Sequence, residues 1–281
     1  MPGEPAPVPG DPGSTPGEPV VPGEPASRSG GHGPPEFDVV ILAGGHASRL
    51  GGADKPGLVI GNMTMAAAVT SAVAAAGARK VVLVGPPRPE LAGLAATLPG
   101  GLTVTREDPP GSGPVPALRT GLAEVTAPWV AVLAADLPFL RAADVLELVA
   151  AAQGPDRDEK GPGAENRPAG AVLIDDQDAA QWLAGCWRTS RLRAALASYP
   201  GDRLRGVLAP LDPALLRVAR DDAEPPPWLD CDTPAAVDAA RIAAQRAAMA
   251  PRRAARHQDA RRPDARRPGR ASNPEQREAT P

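Results

Sequence analysis

Between Gly44 and Gly52 the chain places four glycines in nine residues, with Arg49 among them and Lys55 three residues beyond. Glycine lets main-chain N–H groups turn inward and come close to a polyanion. A guanidinium at Arg49 adds a forked phosphate donor, and an ammonium at Lys55 adds a mobile point charge. Together they suit a nucleoside triphosphate. Pro56 follows Lys55, so this is not the G-x-x-x-x-G-K-[ST] phosphate loop, nor is the spacing G-x-G-x-x-G. The competing reading is a turn that carries two cations without a ligand.

Carboxylates follow later apolar runs. Asp136 closes the run PWVAVLAA. A carboxylate at the tip of a buried strand is costly unless it meets a cation. A hard oxygen ligand there suits Mg2+, which takes one or two protein carboxylates plus phosphates and waters. The bland alternative is an aspartate that caps the next turn. Asp108 opens Asp108-Pro109-Pro110-Gly111-Ser112-Gly113-Pro114, a stiff loop able to approach a ligand closely. It either accepts hydrogen bonds from a guanine edge or a ribose, or is an ordinary turn residue.

The segment L-A-G-G-x-x-S-R-x-G-x-x-D-K, from Leu42 to Lys55, closely resembles the signature loop of the molybdenum cofactor guanylyltransferase family. The resemblance spans residues 37–246. It implies a Rossmann-like α/β sheet and transfer of a nucleoside monophosphate from a nucleoside triphosphate, with release of pyrophosphate. By this resemblance Leu42, Ala43, Gly44 and Gly45 contact base and sugar through the main chain, and Arg49 and Lys55 hold the phosphates. Asp108 begins a D-x-x-x-G-x-G-P segment that binds the nucleotide, and Asp136 lies in a metal-binding D-x-P. Asp230-Cys231-Asp232-Thr233-Pro234 resembles a late N/D-x-N/D-T-P element. There Asp232 is either a second ligand to Mg2+, or it or Thr233 is the N-cap of the last helix. Relatives often carry asparagine in this element, so the acidic pair Asp230 and Asp232 is a departure. A second departure is Gly85, which has no side chain where guanylyltransferases offer asparagine. The resemblance favours GTP as donor and a molybdopterin-type acceptor. A cytidylyltransferase for the same cofactor, a transferase for another phosphorylated acceptor, and a nucleotide-binding regulatory protein are the alternatives. The joint presence of Arg49, Lys55 and Asp136 argues against the last.

These residues need a frame to hold them. Apolar runs at residues 37–43, 80–85, 102–105 and 128–134 alternate with helical patterns at 63–76, 116–125 and 142–152. Strand candidates follow at 171–175 and 182–187, then helices at 191–198 and 234–249, the latter with Pro234 at its first position. Short apolar runs separated by helices describe strands buried on both faces. The expected fold is α/β, a Rossmann-like open and mostly parallel sheet flanked by helices, with ligands outside the carboxyl ends of the strands. Trp182, Trp187 and Arg188 either line an acceptor pocket or pack in the core. Cys186 and Cys231 read as core thiols.

Composition limits the rest. The 281 residues include 37 Pro and 30 Gly, concentrated in parts of the chain that have no apolar period. Residues 1–35 repeat PGEP and cannot bury enough surface to offset their ordering entropy. Residues 250–281 are Arg-rich and self-repelling. Both are expected to be disordered tails around one nucleotidyltransferase domain, residues 36–249, with a charged loop near 154–168. Seven aromatic residues and a net charge of −3 give no stacking platform or basic field for nucleic acid. No apolar run spans a bilayer and the first thirty residues lack a signal-peptide core, so the expectation is a cytoplasmic protein with no membrane partner.

Overall fold

The computed structural model describes residues 36–44, 54–154, 168–220 and 224–259, with side chains through 247. Strand β1 (Phe37–Leu42) is followed by a hairpin of β2 (Val59–Ile60) and β3 (Met63–Thr64), then helix α1 (Met65–Ala75). Next come β4 (Val81–Val84), α2 (Ala92–Ala95), β5 (Leu102–Thr105), α3 (Pro114–Ala123), β6 (Trp129–Ala134) and α4 (Ala142–Gln153). The second half adds β7 (Gly170–Ile174), β8 (Ala180–Arg188), α5 (Thr189–Ser198), α6 (Leu204–Leu208), β9 (Ala214–Leu216) and α7 (Pro234–Asp259).

Seven strands form one sheet in the order β5-β4-β1-β6-β8-β7-β9. Only β8 runs against its neighbours; it pairs antiparallel with both β6 and β7. The mostly parallel Rossmann-like sheet expected from the sequence is therefore present. Successive side chains of a strand point to opposite faces, and both sets here are apolar. Val39, Ile41, Val81, Leu83, Ala131 and Leu133 pack on one face with α1 and α4. Val40, Leu42, Val82, Val84, Val130 and Val132 pack on the other with α3, α5 and α6. Both cysteines are buried, as expected of core thiols.

The buried Asp38 ties down the amino end of β1. Its carboxylate accepts from Arg79 Nε and Nη2 at 3.0 and 2.8 Å and from the Thr126 and Ala127 main-chain N–H groups at 2.8 and 2.9 Å. With its lone pairs so occupied, the charge is tolerated inside. Helix α7 continues ten residues beyond the expected end at Met249, to Asp259, and so enters the stretch read as tail. Residues 1–35, the charged loop at 155–167 and residues 260–281 lie outside the described residues.

Candidate active site

The order of the strands dictates where a crevice opens. From β1 the chain crosses through α1 to β4 on one side; from β5 it crosses through α3 to β6 on the other. Helices α1 and α3 cover opposite faces, so the loops leaving β1 and β6 part above adjacent strand tips. Such a reversal of strand order is where open α/β sheets bind ligands. Leu42 is paired with both Val84 and Ala134. Beyond them the Ala43 N–H donates to the Val84 carbonyl at 2.8 Å, and the Ala135 N–H donates to the Leu42 carbonyl at 3.0 Å. These bonds fix Gly44 and Asp136 as the first free residues past each tip.

Lys55 stands across this crevice, on a 3-10 turn (Lys55–Gly57). Its Nζ contacts Oδ2 of Asp136 and Oδ1 of Asp232, residues far apart in sequence. Burial pulls the Lys55 ammonium down, but the hydrogen bonds it donates to Asp136 and Asp232 outweigh it, and the pKa is raised. Asp232 arrives through α7. Thr233 Oγ1 accepts the Ala236 N–H at 3.1 Å and caps the helix that Pro234 begins. Val237 and Ala240 of α7 then pack with Ile60, Met65 and Cys231, which seats the helix beside the β2–β3 hairpin. Thr233 is thus the cap, and Asp232 faces the crevice. Burial, then the neighbouring Asp232 charge, raises the pKa of Asp230. Burial pushes the Cys231 thiol up to about 11. Asp136 and Asp232 direct oxygens at one cationic atom, and a hard divalent ion fits that donor set.

A cavity of about 390 Å³ runs from this triad toward α3, with Leu42, Gly44, Glu107, Gly111, Pro114 and Ala117 in its wall. The size suits a small-molecule ligand. On the α3 side the acid in its wall is Glu107. Glu107 is 5% exposed; its Oε1 accepts the Gly111 N–H at 2.8 Å, and Oε2 is buried without a partner among the described residues. Asp108, expected at the nucleotide, is exposed and does not line the cavity. The two acids are adjacent, and only the path of the loop decides which turns inward. The single hint in the sequence is parity, since Glu107 continues the alternation of Thr105.

Leu42, Gly44, Lys55, Asp136 and Asp232 therefore converge on one cavity, whereas Ala43 is buried beside it. Gly45 and Arg49 lie outside the described residues. Gly85 has a φ of +152°, and a Cβ there would meet the Ala43 carbonyl carbon at 2.9 Å, so the tip of β4 has no room for a side chain at this position. Trp187 is fully buried and Arg188 lies over the Trp129 ring at 5.0 Å. Trp182 packs against the core. Of the second half, Leu183 rather than these three reaches the cavity wall.

The family described as the MobA-like NTP transferase domain matches residues 39–217. A curated relative, a probable molybdenum cofactor guanylyltransferase of Natronomonas pharaonis, is 34% identical over 102 residues, which cover 36% of this chain and 50% of that protein. The match thus spans about half the length of the relative. Among solved structures, a nucleotidyl transferase from Methanothermobacter superposes with a TM-score of 0.56 at 18% identity, over 75% of this chain and 99% of that one. The molybdopterin-guanine dinucleotide biosynthesis protein A of Archaeoglobus fulgidus gives 0.52 at 17% identity, over 74% and 99%. At such identities the likeness to the solved structures is one of fold.

Proposed function

This chain belongs to the MobA-like NTP transferase domain family, and from that premise we propose that it is a nucleotidyltransferase that transfers GMP from GTP to a molybdopterin-type phosphate. The observation that carries the reading is the meeting of Lys55, Asp136 and Asp232 in the wall of a cavity that Gly44, Gly111 and Glu107 also line. In the reaction an oxygen of the acceptor phosphate bonds to the α-phosphorus, the bond to the bridging α–β oxygen breaks, and pyrophosphate leaves. An acceptor phosphate is ionised at neutral pH, so no strong general base is needed. Alignment and charge neutralisation supply the rate.

Asp136 and Asp232 would hold Mg2+, which would supply positive charge against the triphosphate. Lys55 exchanges its carboxylate partners for the triphosphate as the nucleotide enters, and Arg49 is the second cation on the departing charge. Guanine presents two neighbouring donors, N1–H and the 2-amino group, to a carboxylate. Glu107 offers such an acceptor, with Oε2 unpartnered. Cytosine presents a single amino group. Gly85 favours the second reading, a cytidylyltransferase, because a glycine supplies no side-chain contact to guanine.

Incubation of the full chain with each nucleoside triphosphate, MgCl2 and molybdopterin, with mass detection of the dinucleotide and a pyrophosphate assay, tests this. Product from GTP alone supports guanylyl transfer. Product from CTP alone overturns the base assignment, and pyrophosphate release only with another phosphorylated acceptor overturns the molybdopterin assignment.

A further inference from the structure

The residue before Lys55 is held by a cation that the sequence analysis did not single out. Arg88 lies beyond the end of β4, and its side chain is only 4% exposed. It grips Asp54 with both arms of the guanidinium, Nη1 to Oδ2 at 2.9 Å and Nη2 to Oδ1 at 2.5 Å. Glu90 Oε1 also accepts from Nη1, at 3.5 Å. The Asp54 carbonyl accepts the Gly57 N–H at 3.0 Å, and the Lys55 carbonyl accepts the Leu58 N–H at 3.1 Å. Asp54 is thus pinned through side chain and main chain at once. Gly57 closes the arrangement, because a Cβ there would lie 2.3 Å from Asp54 Oδ2 and 3.2 Å from Arg88 Nη1.

Stability alone does not account for this pair. The Asp54 side chain is 61% exposed, and ion pairs with one partner in solvent add little. Arg88 Nε is buried without a partner among the described residues, which is a cost an apolar side chain of similar length would avoid. What the pair does accomplish is geometric. It ties the tip of β4 to the turn whose first residue is Lys55, and so fixes the point from which the ammonium reaches Asp136 and Asp232.

We propose that Arg88 is a positioning residue for nucleotidyl transfer, acting through Asp54 to fix the backbone of Lys55 and touching neither nucleotide nor acceptor. The proposal rests on the reading of Lys55 as a ligand of the triphosphate. Groups that act as one unit are strongly non-additive, whereas independent groups multiply their effects.

The test is a set of cycles in the full chain, with the triphosphate and acceptor that support turnover: Arg88→Met, Asp54→Asn, Gly57→Ala and Lys55→Met, with the first two also combined with Lys55→Met. Turnover, nucleotide affinity by calorimetry and the thermal midpoint are measured for each. Arg88→Met, Asp54→Asn and Gly57→Ala are expected to lower kcat by about tenfold or more with the acceptor KM held within about twofold. In the Lys55→Met background Arg88→Met and Asp54→Asn are expected to cost no further turnover. Should Arg88→Met fail to fold, Asp54→Asn decides, since it alters an exposed side chain without changing its shape. Full activity of Asp54→Asn, or losses that multiply in the Lys55→Met background, would overturn the proposal alone. Wild-type turnover in Lys55→Met would overturn it together with the role of Lys55.

Discussion

Asp232 and Thr233 are neighbours in sequence that face opposite tasks. The Thr233 hydroxyl turns back along the chain to accept the Ala236 N–H and start α7, while the Asp232 carboxylate points away from the helix to Lys55. A single residue cannot both cap the helix and project into the crevice. The adjacent pair divides the work, and the seat of α7 on the β2–β3 hairpin carries Asp232 to within reach of Asp136's partner.

The two carboxylates should therefore fail in different ways from the cap. Asp136→Ala is expected to lower Mg2+-dependent pyrophosphate release by about 10²–10³-fold, a barrier increase of about 2.7–4 kcal/mol by analogy with loss of an oxyanion donor, with the circular dichroism spectrum unchanged. Asp232→Asn should lose turnover at low Mg2+ and recover part of it as Mg2+ is raised. Thr233→Ala should instead destabilise the fold by about 1 kcal/mol with most of the turnover retained. A Mg2+ titration beside a thermal melt of each variant separates the two classes. An Asp136→Ala enzyme with wild-type turnover would remove the metal assignment.

Glu107 and Asp108 form a second adjacent pair with unequal roles. Glu107→Gln keeps the shape and one acceptor but turns a donor toward the base. It is expected to reduce kcat/KM for GTP relative to CTP by about 1–3 kcal/mol, the usual worth of a bidentate base contact. Asp108→Asn, on an exposed side chain, should leave that ratio unchanged. Competition between the two triphosphates in one reaction measures it directly. Loss of discrimination in Asp108→Asn but not in Glu107→Gln would reverse the assignment.

The central sheet was legible because runs such as VVLV and WVAVLA are apolar at every position, which only a strand covered on both faces tolerates. The β2–β3 hairpin and β9 were not, since two or three residues show no period. Helix α7 outran its expected end at Met249 because alanine and arginine are both strong helix formers, and that propensity outweighs the repulsion among the arginines. In the site, Lys55 and Asp136 could be named from glycine density and strand position. The choices between Glu107 and Asp108, and between Asp232 and Thr233, hinge on the direction of single side chains in loops. Arg88 was invisible for a related reason: its partner Asp54 is 34 residues away, and no local pattern links them.

The Arg88–Asp54 pair carries a pH dependence of definite sign. The hydrogen bond from Arg88 holds the Asp54 carboxyl below its ordinary value of 3.8, against the opposing effect of burial. A group whose folded pKa is depressed contributes stability that is fully present above the unfolded value and is lost as pH falls through the folded one. The difference in thermal midpoint between wild type and Asp54→Asn should therefore be constant above about pH 5 and shrink progressively at more acid pH. A series of melts between neutral and acid pH checks this. A gap that widens toward acid would mean that the neutral form of Asp54 is the one the fold prefers.

Helix α3 connects packing to the site more directly. A Cβ at Gly121 would lie 2.6 Å from Val40 Cγ1 and 2.7 Å from Val84 Cγ2, so the helix rests on the central strands with no space for a methyl group. Gly121→Ala must lift α3 or force both valines from their rotamers, at a cost of about 1–3 kcal/mol. The other end of the same helix supplies Pro114 and Ala117 to the cavity wall. The variant is thus expected to raise the KM for the nucleotide as well as lower the thermal midpoint. Val40→Ala on its own leaves a void and destabilises, but paired with Gly121→Ala it makes room for the added methyl. Partial recovery of both midpoint and KM in the double variant, measured against the two singles, is the expected outcome. Purely additive losses would show that the contact between α3 and β1 does not set the shape of the cavity.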